Sequence, residues 1–81
     1  MNMPAFAKMI EDAIDGARAT VTGDGSKFEA VVISEAFAGL SPVKKHQMVY
    51  RVFSDQLASG SMHALSIKAY TPGEWETTQN H

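Results

Sequence analysis

The stretch FEAVVIS (residues 28–34) decides the fold, because its apolar centre calls for a place inside a sheet. Residues 31–33 are Val-Val-Ile, so a strand here is apolar on both faces, as expected of a middle strand. Residues 17–22, just before it, end in the β-branched run Thr-Val-Thr, which favours a second strand. Residues 23–26 (GDGS) separate the two runs, and Asp24-Gly25 is a typical hairpin pair. The sequence therefore predicts a β-hairpin.

A long helix is predicted after this hairpin. Ser41 can cap its free N–H groups, Pro42 suits its first position, and the pattern runs to about Ala58. Residues 35–40 before it are read as one helical turn or a loop. A spacing of 100° per residue gives the helix an apolar side (Val43, His46, Val49, Tyr50, Phe53, Leu57) and a polar side (Lys44, Gln47, Arg51, Ser54, Asp55). Lys45 falls at the flank, and His46 is expected to be partly buried and hydrogen-bonded.

The third predicted strand, residues 62–70, places His63 on one face with Leu65, Ile67 and Ala69. Because a helix connects it to the second strand, it should lie parallel to that strand. Residues 4–15 form an amphipathic helix that ends before Gly16, and residues 71–75 begin a short last helix with a capping box. We expect one domain over residues 1–81, an ordered core over about 4–76 and a frayed tail over 77–81.

The predicted class is α+β, in the order αββ(α)αβ(α). A three-stranded mixed sheet carries two main helices on one face, which is the layout of class II KH-like domains. The chain contains no GXXG, the sequence with which KH domains clamp RNA.

Composition excludes several functional classes. The 81 residues include no cysteine, so the chain alone cannot form a disulfide or a cysteine-ligated cluster. The longest apolar run is too short for a membrane span and no export signal is evident, so we expect a cytoplasmic protein without membrane contact. The nine carboxylates are scattered and no serine has an obvious base beside it, so we do not expect an enzyme.

Four stretches together resemble the BolA family, and within it the IbaG-like (YrbA-like) branch. They are VTGDGS (21–26), FAGLS (37–41), VKKHQMVY (43–50) and HALSIKAYTP (63–72). They cover most of residues 20–75, in order and at spacing similar to that of the family. The resemblance implies the BolA-like, class II KH-like fold that the pattern of elements also predicts.

The resemblance also implies a function in iron homeostasis and stress response. It implies that a monothiol glutaredoxin and glutathione share a [2Fe–2S] cluster with this chain, and that His63 is its metal ligand. No cofactor is expected in the isolated protein, which should be a monomer or a weak homodimer. Family members often offer a second Cys or His between the first two strands. Residues 22–27 contain neither, and Lys27 stands where IbaG-like relatives often have histidine.

An alternative function is transcriptional regulation through DNA. In that reading the helix 42–58 enters a groove, and Lys44, Lys45 and Arg51 contact phosphates. The net charge of −2 favours a solvated helix face instead. Lys68, Tyr70 and Trp75 are candidate partner contacts, but for Trp75 a role in closing the core is favoured, because large aromatic side chains dominate burial in small domains.

Overall fold

The computed structural model describes residues 3–24 and 27–79. Its elements, in chain order, are α1 (Met3–Ala13), β1 (Arg18–Asp24), β2 (Lys27–Ile33), a 3-10 turn (Glu35–Phe37), α2 (Pro42–Val52), α3 (Ser54–Ser59), β3 (Ala64–Tyr70) and α4 (Pro72–Gln79). The α+β class and the predicted order of elements are confirmed.

The three strands form one mixed sheet in the order β1-β2-β3. β1 pairs antiparallel with β2, and β3 pairs parallel with β2, so the predicted middle strand and the parallel crossover are both confirmed. The hairpin differs in detail from the prediction. Asp24 pairs with Lys27 as the last residue of β1, so the connection consists of residues 25 and 26, which lie outside the described residues.

The core lies on one face of this sheet, where α1 and α2 both pack. Alternate residues of β2, among them Phe28 and Val32, are buried on that face together with Ile10 of α1 and Val49 of α2. The ring of Phe6 packs edge-on against Phe28, with centroids 5.5 Å apart. The other face of β2 is only half-buried, since α4 does not cover the whole sheet.

The predicted helix 42–58 is two helices, and this is a correction. Ser41 caps α2 as predicted, accepting a hydrogen bond from the Lys44 N–H at 3.3 Å, and Pro42 opens the helix. The helix stops at Phe53, whose N–H donates to the carbonyl of Tyr50 at 3.1 Å, three residues back. The break coincides with complete burial of the Phe53 ring. No Gly or Pro in the local sequence marks the position of this break.

His46 is exposed, so the prediction of partial burial is wrong. The buried stripe of α2 is centred on Lys45 and Val49. His46 lies about 100° further around the helix axis than Lys45 and so falls outside this stripe. Lys45 takes the place that an apolar residue would normally occupy, because its long aliphatic stem can be buried while its ammonium reaches a partner.

The two terminal helices have different ends from those predicted. α1 stops at Ala13, and Gly16 beyond it adopts the left-handed conformation with φ of 65°. α4 continues to Gln79, past the predicted start of a tail at Thr77. Its last turn is supported by the Thr78 hydroxyl, which donates to the carbonyl of Glu74 at 2.9 Å. Residues 80 and 81, which include His81, lie outside the described residues.

Candidate functional site

His63 lies at the surface immediately before β3, not within the strand as predicted. Met62 is buried with 1% exposure, whereas the His63 side chain is exposed. Because Ala64 pairs with Lys27, His63 lies beside the end of the β1–β2 hairpin. The fold therefore places this imidazole at the end of the sheet where the hairpin turns.

A hydrogen-bonded turn holds the residues that precede His63. The carbonyl of Gln56 accepts bonds from the Met62 N–H at 3.2 Å and from the Ser61 hydroxyl at 3.3 Å. Gly60, at the end of α3, supplies the left-handed conformation with φ of 83° that this turn needs. Anchored by the buried Met62, the turn gives His63 a defined position on the surface.

The donor set around His63 is small. Within residues 3–24 and 27–79, no three His, Cys, Asp or Glu side chains come together as a metal site. Lys27, at the hairpin end, is exposed and carries an ammonium rather than a ligand nitrogen. An exposed imidazole that belongs to no such group in the described residues fits a metal centre to which another molecule contributes most of the ligands.

Lys45 is largely buried and paired with a carboxylate, an arrangement that does not favour its predicted contact with nucleic acid. Its side chain is 11% exposed, and its ammonium lies 3.0 Å and 3.3 Å from the two carboxylate oxygens of Glu74. Glu74 also accepts a hydrogen bond from the Thr71 N–H at 2.8 Å, and its own N–H donates to the Thr71 hydroxyl, as in the predicted capping box. The bond from Thr71 and the neighbouring Lys45 ammonium hold the pKa of Glu74 below its ordinary value.

Lys44 and Arg51 are exposed on α2, as the DNA hypothesis requires. They share the helix face opposite Lys45 and Val49, separated by about two turns. The predicted cluster of three cations is therefore reduced to two, on a helix that ends at Val52.

The candidate partner contacts Lys68, Tyr70 and Trp75 lie on the outer face of the sheet or beside it. Lys68 is exposed and lies 3.5 Å from the carboxylate of Glu29. Trp75 of α4 packs on Tyr70, with ring centroids 5.4 Å apart and an interplanar angle of 55°. Trp75 is half-buried and lies outside the core cluster, so the alternative that it closes the core is wrong.

Tyr50 is a surface residue whose position the sequence did not predict. It was expected on the apolar side of its helix, yet it is 42% exposed. Its hydroxyl donates to the carbonyl of Leu65 at 3.2 Å and so joins α2 to β3 two residues after His63. In the described part of the chain, no helix is long and apolar enough to cross a membrane.

Comparisons with known proteins agree with this architecture. A model of the family described as BolA-like protein matches residues 4–74. The chain is 51% identical over 55 residues to the acid stress protein IbaG of Escherichia coli strain K12, an alignment that spans 68% of this chain and 66% of that protein. It is 40% identical over 73 residues to the DNA-binding transcriptional regulator BolA of Vibrio cholerae, spanning 90% of this chain and 66% of the relative.

A solved structure gives the same result for the fold. The BolA homologue from Coxiella burnetii superposes with a TM-score of 0.81 at 35% identity, covering 94% of this chain and 97% of the homologue. The two sequence relatives are named as a stress protein and a transcriptional regulator, not as enzymes. Fold, matched residues and sequence identity agree, and the chain belongs to the BolA-like protein family.

Proposed function

We propose that this protein is a non-enzymatic adaptor that shares a [2Fe–2S] cluster with a monothiol glutaredoxin, in iron homeostasis or stress response. The observation that carries the proposal is the exposed imidazole of His63, presented by a hydrogen-bonded turn at the end of the sheet. The resemblance of the sequence to the BolA family supports this reading, as does the stress-protein name of the IbaG relative.

The ligand chemistry supports a shared cluster rather than a resident one. A [2Fe–2S] cluster needs four protein or thiol ligands, and this chain has no cysteine. In the proposed complex the glutaredoxin cysteine and glutathione supply thiolates, and His63 supplies a neutral nitrogen. Imidazole in place of thiolate raises the reduction potential of such a cluster, so His63 would also set its redox behaviour.

The hairpin end distinguishes this chain from relatives that offer a second ligand there. Lys27 lies beside the residue that follows His63, and its ammonium cannot bind iron. We therefore propose that His63 is the sole ligand from residues 27–79, and that the cluster is bound more weakly, or with different ligands, than in family members with a loop ligand. We further propose that the protein alone is a cytoplasmic monomer or weak homodimer.

The test is reconstitution with a glutathione-loaded monothiol glutaredoxin, followed by visible absorption and circular dichroism. We expect His63→Ala to change the spectrum of the heterocomplex, because one cluster ligand is replaced. His46→Ala is the matched control, since His46 is also an exposed histidine. Identical spectra for the wild type and His63→Ala would show that His63 is not a ligand.

DNA binding is the second candidate function, and the name of the Vibrio cholerae relative favours it. Lys44 and Arg51 are exposed on α2, but Lys45 is engaged by Glu74 and the net charge is −2. A DNA-binding role predicts affinity for a duplex that falls steeply with salt and is reduced by Lys44→Ala. Absence of binding near physiological salt would exclude it.

A further inference from the structure

The exposed face of α2 carries an apolar ridge. In the described part of the chain, the most exposed large apolar side chains are Val43 at 65% and Tyr50 at 42%. They are two helical turns apart and project from the same side of the helix, with Gln47 between them. A shallow groove of about 420 Å³, lined by Gln47, Tyr50 and Leu57, continues the ridge towards α3.

Two cations border this ridge and have no carboxylate partner among the described residues. The ion pairs within residues 3–24 and 27–79 are Lys8–Asp12, Lys45–Glu74 and Lys68–Glu29, and neither Lys44 nor Arg51 belongs to one. Asp55, four residues after Arg51, would pair with it on a continuous helix. The break at Phe53 interrupts that helix, and no ion pair forms. The ridge is therefore apolar with a positively charged margin.

The same surface is continuous with the candidate ligand. The Tyr50 hydroxyl donates to the carbonyl of Leu65, and Leu65 follows His63 by two residues on the chain. One strand residue adds about 3.3 Å, so the Tyr50 hydroxyl lies close enough to His63 for one protein interface of ordinary size to cover both.

We infer that Val43, Tyr50 and the Lys44–Arg51 margin form the docking surface for an acidic protein surface, carried by the same partner that supplies the thiolate ligands. The inference rests on the proposed function, because it takes the glutaredoxin as the occupant. The charge margin selects an acidic partner, and the ridge supplies the apolar contact that a protein interface buries. A nucleic acid backbone would satisfy the cations but would leave Val43 and the groove uncovered.

The test measures affinity for the glutathione-loaded glutaredoxin by titration calorimetry, with no iron present, at low and at physiological salt. Arg51→Glu should weaken binding by about tenfold at low salt, because it places like charges against each other. Arg18→Glu is the matched control, since Arg18 is an exposed arginine on the outer face of the sheet. It should change the affinity by less than about twofold, as expected of an exposed charge outside an interface. Val43→Asp should weaken binding at both salt concentrations.

The outcomes separate the surface from the proposed function. If Arg51→Glu and Arg18→Glu change the affinity for glutaredoxin equally, the proposed docking surface is refuted, even if His63→Ala still changes the cluster spectrum. Loss of duplex DNA binding in Arg51→Glu, with glutaredoxin binding unchanged, would reassign the surface to nucleic acid and also overturn the inference. Thermal unfolding of each variant checks that the exposed substitutions leave the fold intact. No detectable binding of the iron-free glutaredoxin by the wild type would overturn the proposed docking surface, whereas the cluster spectra of wild type and His63→Ala test the proposed function separately.

Discussion

Replacing Lys45 by alanine should destabilise the fold, whereas the same change at the adjacent Lys44 should not. The Lys45 side chain is 11% exposed, so Lys45→Ala removes the γ, δ and ε methylenes from an almost fully buried site. At about 0.8 kcal/mol for each buried methylene, the free energy of unfolding should fall by about 2 kcal/mol, before any loss of the ion pair. Lys44 is exposed, and its truncation should cost less than about 0.5 kcal/mol.

The assay is thermal unfolding followed by circular dichroism. A loss of about 2 kcal/mol corresponds to a fall in Tm of roughly 10 °C for a domain of this size. Lys45→Met keeps most of the apolar stem but loses the contact with Glu74, so its Tm should lie between those of Lys45→Ala and the wild type. Equal Tm values for Lys44→Ala and Lys45→Ala would refute the burial of Lys45 and restore it as a candidate for DNA contact.

Two further predictions concern carboxyl and hydroxyl groups. Because the pKa of Glu74 is lowered in the folded state, its contribution to stability is present above its ordinary value of 4.5 and is lost as the pH falls through the folded value. We therefore expect the difference in stability between wild type and Glu74→Gln to shrink below pH 4.5 when thermal unfolding is measured from pH 7 downwards. A constant difference would contradict the cause assigned to the lowered pKa of Glu74. Ser34 is fully buried, and its hydroxyl donates to the Asp15 carbonyl at 2.6 Å and accepts from the Ala36 N–H at 3.0 Å. Ser34→Ala should lower the free energy of unfolding, measured in urea, by about 2–3 kcal/mol because it leaves both hydrogen-bond partners unsatisfied. The exposed control Ser66→Ala should leave the free energy of unfolding nearly unchanged. Equal urea midpoints for the two variants would refute the role of Ser34.

Local sequence signals predicted most of the fold. The caps Ser41 and Thr71 and the strand-forming run of residues 28–34 each report the conformation of a few neighbouring residues, and the structure confirms them. The continuous apolar run Val-Val-Ile (residues 31–33) also identified the middle strand. These features succeed because the backbone hydrogen bonds and the apolar periodicity that define them are local.

The features that the sequence did not predict depend on contacts between distant residues. Lys45 is buried because Glu74 lies opposite it, 29 residues along the chain, and a helical wheel contains no information on that partner. The exposure of His46 follows from how α2 is rotated against the sheet, and the break at Phe53 coincides with the burial of its ring in the core. The capping box drew attention to Glu74, but only as the cap of its own helix.

The candidate site, too, was predicted only in part from the sequence. The resemblance to the BolA family singled out His63, and the structure places its imidazole at the surface beside the hairpin end. The expected position on an apolar strand face was wrong, because β3 begins at Ala64, two residues later than predicted, and Met62 takes the buried place. The ridge formed by Val43 and Tyr50 was not predicted, since both residues were assigned to the apolar, inward side of the helix.

The most direct test of the central claim is the visible circular dichroism of the cluster-loaded heterocomplex, recorded for wild type, His63→Ala and His46→Ala. We predict that wild type and His46→Ala give the same spectrum and that His63→Ala gives a different one, because in the proposed complex His63 binds the cluster and His46 does not. A spectrum that is unchanged in His63→Ala would contradict the account.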